Sequence, residues 1–225
     1  MIIQNQLRNE AIMIVKVLPG NYFAANCFIV ASETTGRGMI IDPCAKVNDI
    51  TDALEELKIS VSVIALTHVH VDHFCAVEAV KNATKAQLAV FDDRDIKAAA
   101  EASKVNEVTK RFVIIPFELP IPPDRWLHEG DVIDIDDLHF SVLYTPGHTP
   151  DSVSFFGHGA VFSGDTLFRR KIGALIPGLY SGYDLEQLKT SIREKLLSLP
   201  DDTIVYPGHG AATTIGEERT FNVML

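Results

Sequence analysis

The chain has 225 residues, of which 47% are hydrophobic and 22% charged, and its formal net charge at pH 7 is −10. A chain of this length can bury a sizeable core, and we expect one domain over residues 1–225. A negative net charge without a basic stripe excludes nucleic acid as a partner, and no apolar run approaches the roughly 18–20 residues that cross a bilayer.

Short runs rich in β-branched and aromatic residues, bounded by Gly, Pro or Asp, predict a series of strands. The predicted strands are 12–18, 26–31, 38–42, 62–66, 88–91, 139–144, 153–156, 160–163 and 203–206. The predicted helices are 46–57, 73–82, 93–104 and 184–197, the last with Asp184 as its N-cap. Residues 106–130 contain four prolines within PFELPIPPD and are expected to be irregular. Strands that outnumber helices in both halves predict two sheets packed face to face, with helices outside.

Histidines and aspartates follow several of the strand-like runs directly. They are His68, His70, Asp72 and His73 after SVIALT, His148 in YTPGHTP, Asp165 in VFSGDTLF, and His209 in VYPGHG. Loops at strand ends are where a rigid scaffold presents functional side chains. The other histidines, His128, His139 and His158, are interpreted as surface or hydrogen-bonded residues.

The spacing within HVHVDH has a physical reason. His68 and His70 lie two apart after a strand, so their side chains project to the same side. A helix that follows can point Asp72 and His73 back towards the same space. Imidazole and carboxylate ligands suit zinc, and seven of them suit two ions about 3.5–4 Å apart rather than one. We therefore predict two divalent ions, with zinc favoured over iron or manganese.

Four segments, THVHVDH, TPGHTPDSVSF, SGDTLFRR and YPGHGAATTIGEER, resemble the metallo-β-lactamase-fold hydrolases in order and spacing. Within that fold they are most similar to the glyoxalase II-like subgroup, the hydroxyacylglutathione hydrolases, from about Ile12 to Asn222. The resemblance implies a four-layer αββα sandwich of the α/β (α+β) class, with the metals at one edge between the sheets. It also implies the ligands: His68, His70 and His148 for the first ion, Asp72, His73 and His209 for the second, and Asp165 bridging them.

Asp42 in the IIDP turn matches a position beside the site in this family. Its carboxylate is expected to accept a hydrogen bond from a metal-bound imidazole. The resemblance further implies a metal-dependent thioesterase that cleaves S-2-hydroxyacylglutathione, such as S-lactoylglutathione, or a related small thioester. The nucleophile would be a hydroxide bridging the two ions, oriented by Asp72 or Asp165 as catalytic residues. Two alternatives stay open: a mononuclear iron persulfide dioxygenase, and a lactone or other ester hydrolase of the same fold.

The segment after GDTLFRR departs from the family pattern. KIGALIPGLYSGYD stands where relatives commonly continue with Ile-Gly-Arg and an acidic residue, so the resemblance does not determine substrate specificity. The residues considered for substrate binding are Arg169, Arg170, Lys171, Tyr180 and Tyr183. The chain ends soon after TTIGEERTFN, and we expect no C-terminal helical extension of the kind that helps eukaryotic-type glyoxalase II to hold glutathione.

The three cysteines, Cys27, Cys44 and Cys75, are odd in number and have no CxxC spacing. This predicts reduced thiols, and together with an N-terminus that lacks signal-peptide features it predicts a cytoplasmic protein. Cys75, directly after the HVHVDHF run, is expected to be a small buried hydrophobe, with a thiol lining the cleft as the alternative. We expect a monomer or homodimer that acts on a small molecule and has no membrane partner.

Overall fold

The computed structural model describes residues 12–22, 24–94, 119–173 and 183–225. The first sheet contains β1 (Met13–Pro19), β2 (Asn26–Ser32), β3 (Arg37–Ile41), β4 (Ser60–Ala65), β5 (Gln87–Phe91) and β6 (Arg125–Leu127), in that spatial order. The strands β1 to β3 form an antiparallel meander, and β3 to β6 are parallel. Parallel neighbours need crossover connections. These are α1 (Val47–Leu57) after β3, and α2 (Val71–Phe74) with α3 (Val77–Thr84) after β4.

The second sheet contains β7 (Val132–Ile135), β8 (Leu138–Tyr144), β9 (Val153–Gly157), β10 (Ala160–Gly164), β13 (Ile204–Pro207) and β14 (Thr213–Thr214). Its spatial order is β14-β13-β10-β9-β8-β7, and β11 (Leu167–Phe168) and β12 (Lys171–Ile172) form a separate hairpin. Outside this sheet lie α4 (Leu185–Ser191), which continues as a π-helical turn over Ile192–Leu196, and α5 (Ile215–Phe221). None of the described helices is long and apolar enough to cross a membrane.

Alternation along the strands divides the core into layers. On β2, Phe28 and Val30 belong to the cluster between the sheets, whereas Ile29 packs on the side of α1 and α3. On β10, Phe162 faces the same inner cluster, whereas Val161 packs with the apolar residues of α4. Because successive side chains of a strand point to opposite faces, each sheet buries one face against the other sheet and one against helices. The predicted four-layer αββα sandwich is confirmed.

The predicted strands are all present, and their ends are shifted by at most two residues. The predicted helix 73–82 is two helices separated at Cys75–Ala76, and the helix from 184 starts as predicted, since the Asp184 carboxylate accepts from the amide of Gln187 at 3.0 Å. The prediction that residues 106–130 are irregular is wrong for the end of that stretch, because β6 forms there and pairs with β5. Residues 106–118 of that stretch, and most of the predicted helix 93–104, lie outside the described residues.

Five strands end at the same edge of the sandwich. In the first sheet β3 and β4 are parallel. In the second sheet β8 and β10 both pair antiparallel with β9, and β13 pairs parallel with β10, so β8, β10 and β13 run in one direction. The loops that leave these strand ends therefore meet between the two sheets.

Candidate metal centre

The loops after these strands bring the seven predicted ligands together. His68 and His70 follow β4, Asp72 and His73 lie on α2, and single ligands follow β8, β10 and β13. Their ligand atoms form three groups in which all atoms lie within 4.8 Å of one another. These groups are His68-His70-His148, Asp72-His73-His209 and His68-His73-Asp165. We call the first group the imidazole triad and the second the mixed triad.

The imidazole triad is buried and neutral. His70 Nδ1 lies 3.0 Å from His68 Nε2 and 3.2 Å from His148 Nε2. Burial lowers the pKa of His70 to about 3, and it also lowers the pKa values of His68 and His148. Neutral imidazoles are the metal-binding form. Zinc–nitrogen bonds of about 2.0–2.1 Å in a tetrahedral site separate ligand atoms by roughly 3.3–3.4 Å, close to the spacing of this triad.

The mixed triad carries opposite charges. Asp72 Oδ2 lies 3.4 Å from His209 Nε2 and 3.9 Å from His73 Nε2. Burial acts to lower the pKa of His73, but Asp165 and Asp42 outweigh it and raise the pKa well above its usual value. Burial likewise opposes protonation of His209, but the hydrogen bond that its imidazole donates to Asp72, together with the charge of Asp165, outweighs burial and raises this pKa. This triad is therefore held together by charge.

Asp165 lies between the two triads. Its Oδ2 is 3.5 Å from His148 Nε2 and 3.5 Å from His209 Nε2, and its Oδ1 is 3.4 Å from His73 Nε2. Burial acts to raise the pKa of Asp165, but the three surrounding histidines, His73 first, outweigh burial and lower it. The carboxylate is therefore ionised, with each oxygen facing imidazole nitrogens.

Asp42 connects the two triads through hydrogen bonds to His73 and Thr67. Its backbone is left-handed, with φ of 51°, and its Oδ2 accepts from His73 Nδ1 at 2.9 Å and from the Thr67 hydroxyl at 2.6 Å. The hydroxyl proton is thus used, so Thr67 Oγ1 accepts from His68 Nδ1–H at 3.1 Å. Hydrogen bonds at Nδ1 leave Nε2 of both imidazoles as the free ligand atom. Asp42 thus lies next to the predicted ligands, whereas sequence reasoning missed Thr67, although it directly precedes HVHVDH.

The inner atoms of the cluster have the character of a metal site. Within the described part of the chain, the buried His73 Nε2 and Asp165 Oδ1 make no hydrogen bond. Gly208 keeps the His209 loop close to them, because a Cβ there would lie 2.2 Å from Asp165 Oδ1 and 2.7 Å from His73 Cε1. Buried polar atoms that make no hydrogen bond, in a cluster of nitrogen and carboxylate ligands, fit divalent ions such as zinc, iron or manganese.

The residues predicted to bind substrate are spread over two places. Arg169, Arg170 and Lys171 are exposed in the β11–β12 hairpin. The backbone amide of Arg170 donates to Glu218 at 2.8 Å, and its guanidinium lies 4.7 Å from the ring of Phe221, so this side chain is engaged with α5. Tyr183 is half-buried and packs against the apolar residues of α4. Tyr180 lies outside the described residues.

Two further side chains beside the centre differ from the sequence predictions: Phe168 was not predicted to lie there, and Cys75 was expected to be fully buried. Phe168, half-exposed on β11, sets its ring at 89° to the His209 imidazole with centroids 6.1 Å apart, and the LF of SGDTLF was the available signal. Cys75 is half-buried rather than fully buried, because its thiol donates to the carbonyl of Cys44 at 3.3 Å near the surface of the first core layer. All three cysteines are free thiols, as expected.

The remaining histidines lie away from the centre, as interpreted from the sequence. His139 Nδ1 lies 2.7 Å from Asp134, and its backbone amide donates to His158 at 2.9 Å. His128 is exposed beside Asp92 and Asp131, at 3.5 and 3.6 Å. None of these three contributes to the ligand groups found among the described residues.

Comparison with known proteins places this centre in a family. The model of the metallo-beta-lactamase superfamily matches residues 20–209. Hydroxyacylglutathione hydrolase GloC of Haemophilus influenzae is 34% identical over 216 residues, which are 95% of this chain and 98% of that protein. The crystal structure of BLEG-1 B3 metallo-beta-lactamase has a TM-score of 0.80 at 30% identity and covers 94% of this chain and 99% of its own. TTHA1623 in a di-iron-bound form has a TM-score of 0.74 at 30% identity, with 94% and 100% covered. The chain therefore belongs to the metallo-beta-lactamase superfamily of metal-dependent hydrolases.

Proposed function

We propose that the protein is a thioester hydrolase with two divalent metal ions. The first ion would be held by the imidazole triad of His68, His70 and His148, and the second by Asp72, His73 and His209. The observation that carries the proposal is the position of Asp165, whose Oδ2 is equally distant, 3.5 Å, from a nitrogen of each triad. One carboxylate shared in this way is the arrangement of two-metal hydrolytic sites.

When bound, two divalent ions lower the pKa of water towards neutrality and polarise a carbonyl oxygen. The protein's own contribution is to orient the attacking water and the imidazoles that would hold the ions. Asp72 and Asp165 are ionised acceptors that can fix the hydrogens of an attacking water, because the surrounding histidines lower the pKa values of both carboxyls. Asp42 and Thr67 keep the ring nitrogens of His68 and His73 pointed inward. A thiolate leaves with little need of a proton, so no separate general acid is required.

S-2-hydroxyacylglutathione is the substrate class that we propose, with zinc as the metal. The support is the similarity to the H. influenzae hydroxyacylglutathione hydrolase over nearly the whole of both chains. Glutathione carries two carboxylates, and the exposed Arg169 and Lys171 on the hairpin after Asp165 can attract them. Arg170 is less suited, because its guanidinium already stacks on Phe221.

The test combines metal content with a substrate panel. The purified protein is loaded with zinc, iron or manganese, its metal content is measured by elemental analysis, and S-lactoylglutathione, a lactone, a β-lactam and glutathione persulfide are offered. The expected result is two ions per chain and hydrolysis of the thioester that chelation abolishes and metal restores. The variant R169A/K171A should raise KM for S-lactoylglutathione with little change in kcat, whereas its KM for a thioester without carboxylates should not change.

Two results would contradict the proposal in different ways. A protein with two ions that does not turn over S-lactoylglutathione overturns the substrate, and the rest of the panel then identifies a lactone or other ester hydrolase. A protein with a single iron that consumes oxygen with glutathione persulfide overturns the hydrolase and supports the persulfide dioxygenase.

A further inference from the structure

His209 is the most exposed of the seven candidate ligands, with 27% of its side chain exposed, and the loop that carries it is hydrogen-bonded to the first sheet. The residue that makes these hydrogen bonds is Asn26, the first residue of β2. Its side-chain amide donates to the carbonyls of Pro207 and Gly210, both at 2.9 Å, and its backbone amide donates to the carbonyl of Gly208 at 2.6 Å. These three bonds therefore bracket His209 on both sides.

The contact joins parts of the chain that are far apart in sequence. Asn26 lies 181 positions before Pro207 and 184 before Gly210. The neighbouring residue Ala25 forms an isolated antiparallel bridge with His209 itself. The ligand loop that follows β13 of the second sheet is thus fastened to β2 of the first sheet, on which none of the predicted ligands lies.

We propose that Asn26 is a positioning residue for the mixed triad, acting through His209. An inference of this kind rests on the proposed two-ion centre. Both hydrogens of the Asn26 amide are used, and each goes to a backbone carbonyl. An amide nitrogen supplies two such donors, whereas an aspartate of the same shape supplies only acceptors. A carboxylate at position 26 would therefore face two carbonyl oxygens at 2.9 Å and push the loop away.

The placement of Gly208 explains why a shift of this loop matters to the metal. Gly208 is in close contact with Asp165 and His73, as described above, so the loop cannot move inward. If the Asn26 hydrogen bonds are lost, the loop can move only outward. Such a movement takes His209 Nε2 away from Asp72 Oδ2. The imidazole triad has no ligand on this loop and should keep its geometry.

The experiment is a titration of the metal-free full-length protein with zinc, followed by competition with a chromophoric chelator. The variants are N26D and N26A, with N48D as a control that introduces the same charge at an exposed position of α1. H209A identifies which of the two binding steps belongs to the mixed triad. We expect N26D to weaken that step by roughly 10–100-fold, as is typical of residues that hold a ligand in place, N26A to weaken it less, and N48D to leave both steps unchanged.

Thermal unfolding of the metal-free variants is measured alongside, and the two-step pattern in N26A decides the question if N26D does not fold. Two bound ions in the wild type with both steps weakened equally, or neither weakened, in the Asn26 variants would overturn the inference while leaving the two-ion centre intact. A wild-type protein that takes up a single ion overturns the two-ion centre, and the inference falls with it.

Discussion

The two triads lie at the same edge of the sandwich but are built on different physics. The imidazole triad consists of three side chains with exposed fractions of 1%, 6% and 4%, and burial first, then the neighbouring histidines, lowers their pKa values. In the mixed triad, Asp72 and His209 keep 16% and 27% of their side chains exposed, and carboxylates raise the pKa of both histidines against burial. One triad is a neutral pocket, and the other is an ion cluster that opens towards solvent.

The difference indicates a division of labour. Three neutral imidazoles would bind a dication without competition from protons over a wide pH range, and their burial would shield such an ion from solvent. The mixed triad is the side of the centre that faces solvent, because two of its members, Asp72 and His209, are the most exposed of the seven side chains, whereas His73 is buried. Asp165 contacts histidines of both triads, and Asp42 contacts His73 directly and His68 through Thr67. Substitutions can therefore be chosen that affect both triads, or mainly one of them.

The largest effect is expected for D165N, because this substitution should weaken metal binding at both triads rather than at one of them. The substitution deletes the charge that faces His73, His148 and His209. We expect the hydrolytic kcat/KM to fall by more than the roughly 10–100-fold that is typical of residues one step removed from a metal, and both zinc-binding steps to weaken. Steady-state kinetics and zinc titration measure this. An unchanged second step would show that Asp165 is not shared.

G208A should damage the mixed triad more than the imidazole triad, because the added Cβ would press on His73 and on the Asp165 oxygen that faces His73. The added methyl group would lie 2.2 Å from Asp165 Oδ1 and 2.7 Å from His73 Cε1, so one of these groups has to move. We expect one zinc step to weaken at least about 10-fold, within the range for displaced metal ligands. G130A is the matched control: Gly130 lies in the loop between β6 and β7, which carries no candidate ligand, and has φ of +82° with open space around it. That variant should cost about 1–2 kcal/mol of stability from backbone strain but leave zinc binding intact.

T67V should act on the imidazole triad. The methyl group replaces the hydroxyl that accepts from His68 Nδ1, and valine preserves the volume of threonine. We expect the zinc step of that triad to weaken by roughly 10–100-fold. T67S keeps the hydroxyl and should restore most of the affinity. Equal weakening in T67V and T67S would mean that packing by the methyl group, and not the hydrogen bond to His68, matters at this position.

The smallest effect is expected at Asp151, which joins the two loops of the imidazole triad. Its Oδ2 accepts from the amide of Val69, between His68 and His70, at 2.8 Å. D151A leaves that buried amide unpaired and should lower the free energy of unfolding by about 1–3 kcal/mol. D151N keeps the acceptor and should not. Denaturant unfolding of the metal-free proteins measures the difference, and equal losses in both variants would contradict it.

The pH dependence of D151N provides a second check. Burial raises the pKa of Asp151, so the folded protein holds this proton more tightly than the unfolded chain. The contribution of Asp151 is therefore present below the unfolded pKa of about 3.9 and is lost as pH rises through the raised folded pKa. The stability of D151N relative to wild type should accordingly increase over that pH range and stay constant above it.

The candidate ligands could be picked out from the sequence because they lie directly after strands, or on the short helix that follows a strand, that local patterns reveal. HVHVDH, PGH and GD stand directly behind apolar runs, and strand ends present side chains at one edge of a sheet. The elements that were missed are short or depend on partners: β6 has three residues and exists because β5 pairs with it. Likewise α5 was not predicted, although its first turn is capped by the hydroxyl of Thr214, which accepts from the amide of Glu217 at 3.2 Å.

The sequence by itself indicated the fold class and the seven candidate ligands, because periodicity and ligand spacing are local properties of the chain, and the place of Asp42 was predicted from the resemblance to the family. Only the tertiary structure decided how the ligands divide by burial and charge, which imidazole nitrogens face inward, and which residues hold the loops. Asn26 illustrates the reason: its hydrogen-bond partners lie 181 and 184 positions away. Contacts over such separations depend on how the two sheets pack, and no local pattern encodes them.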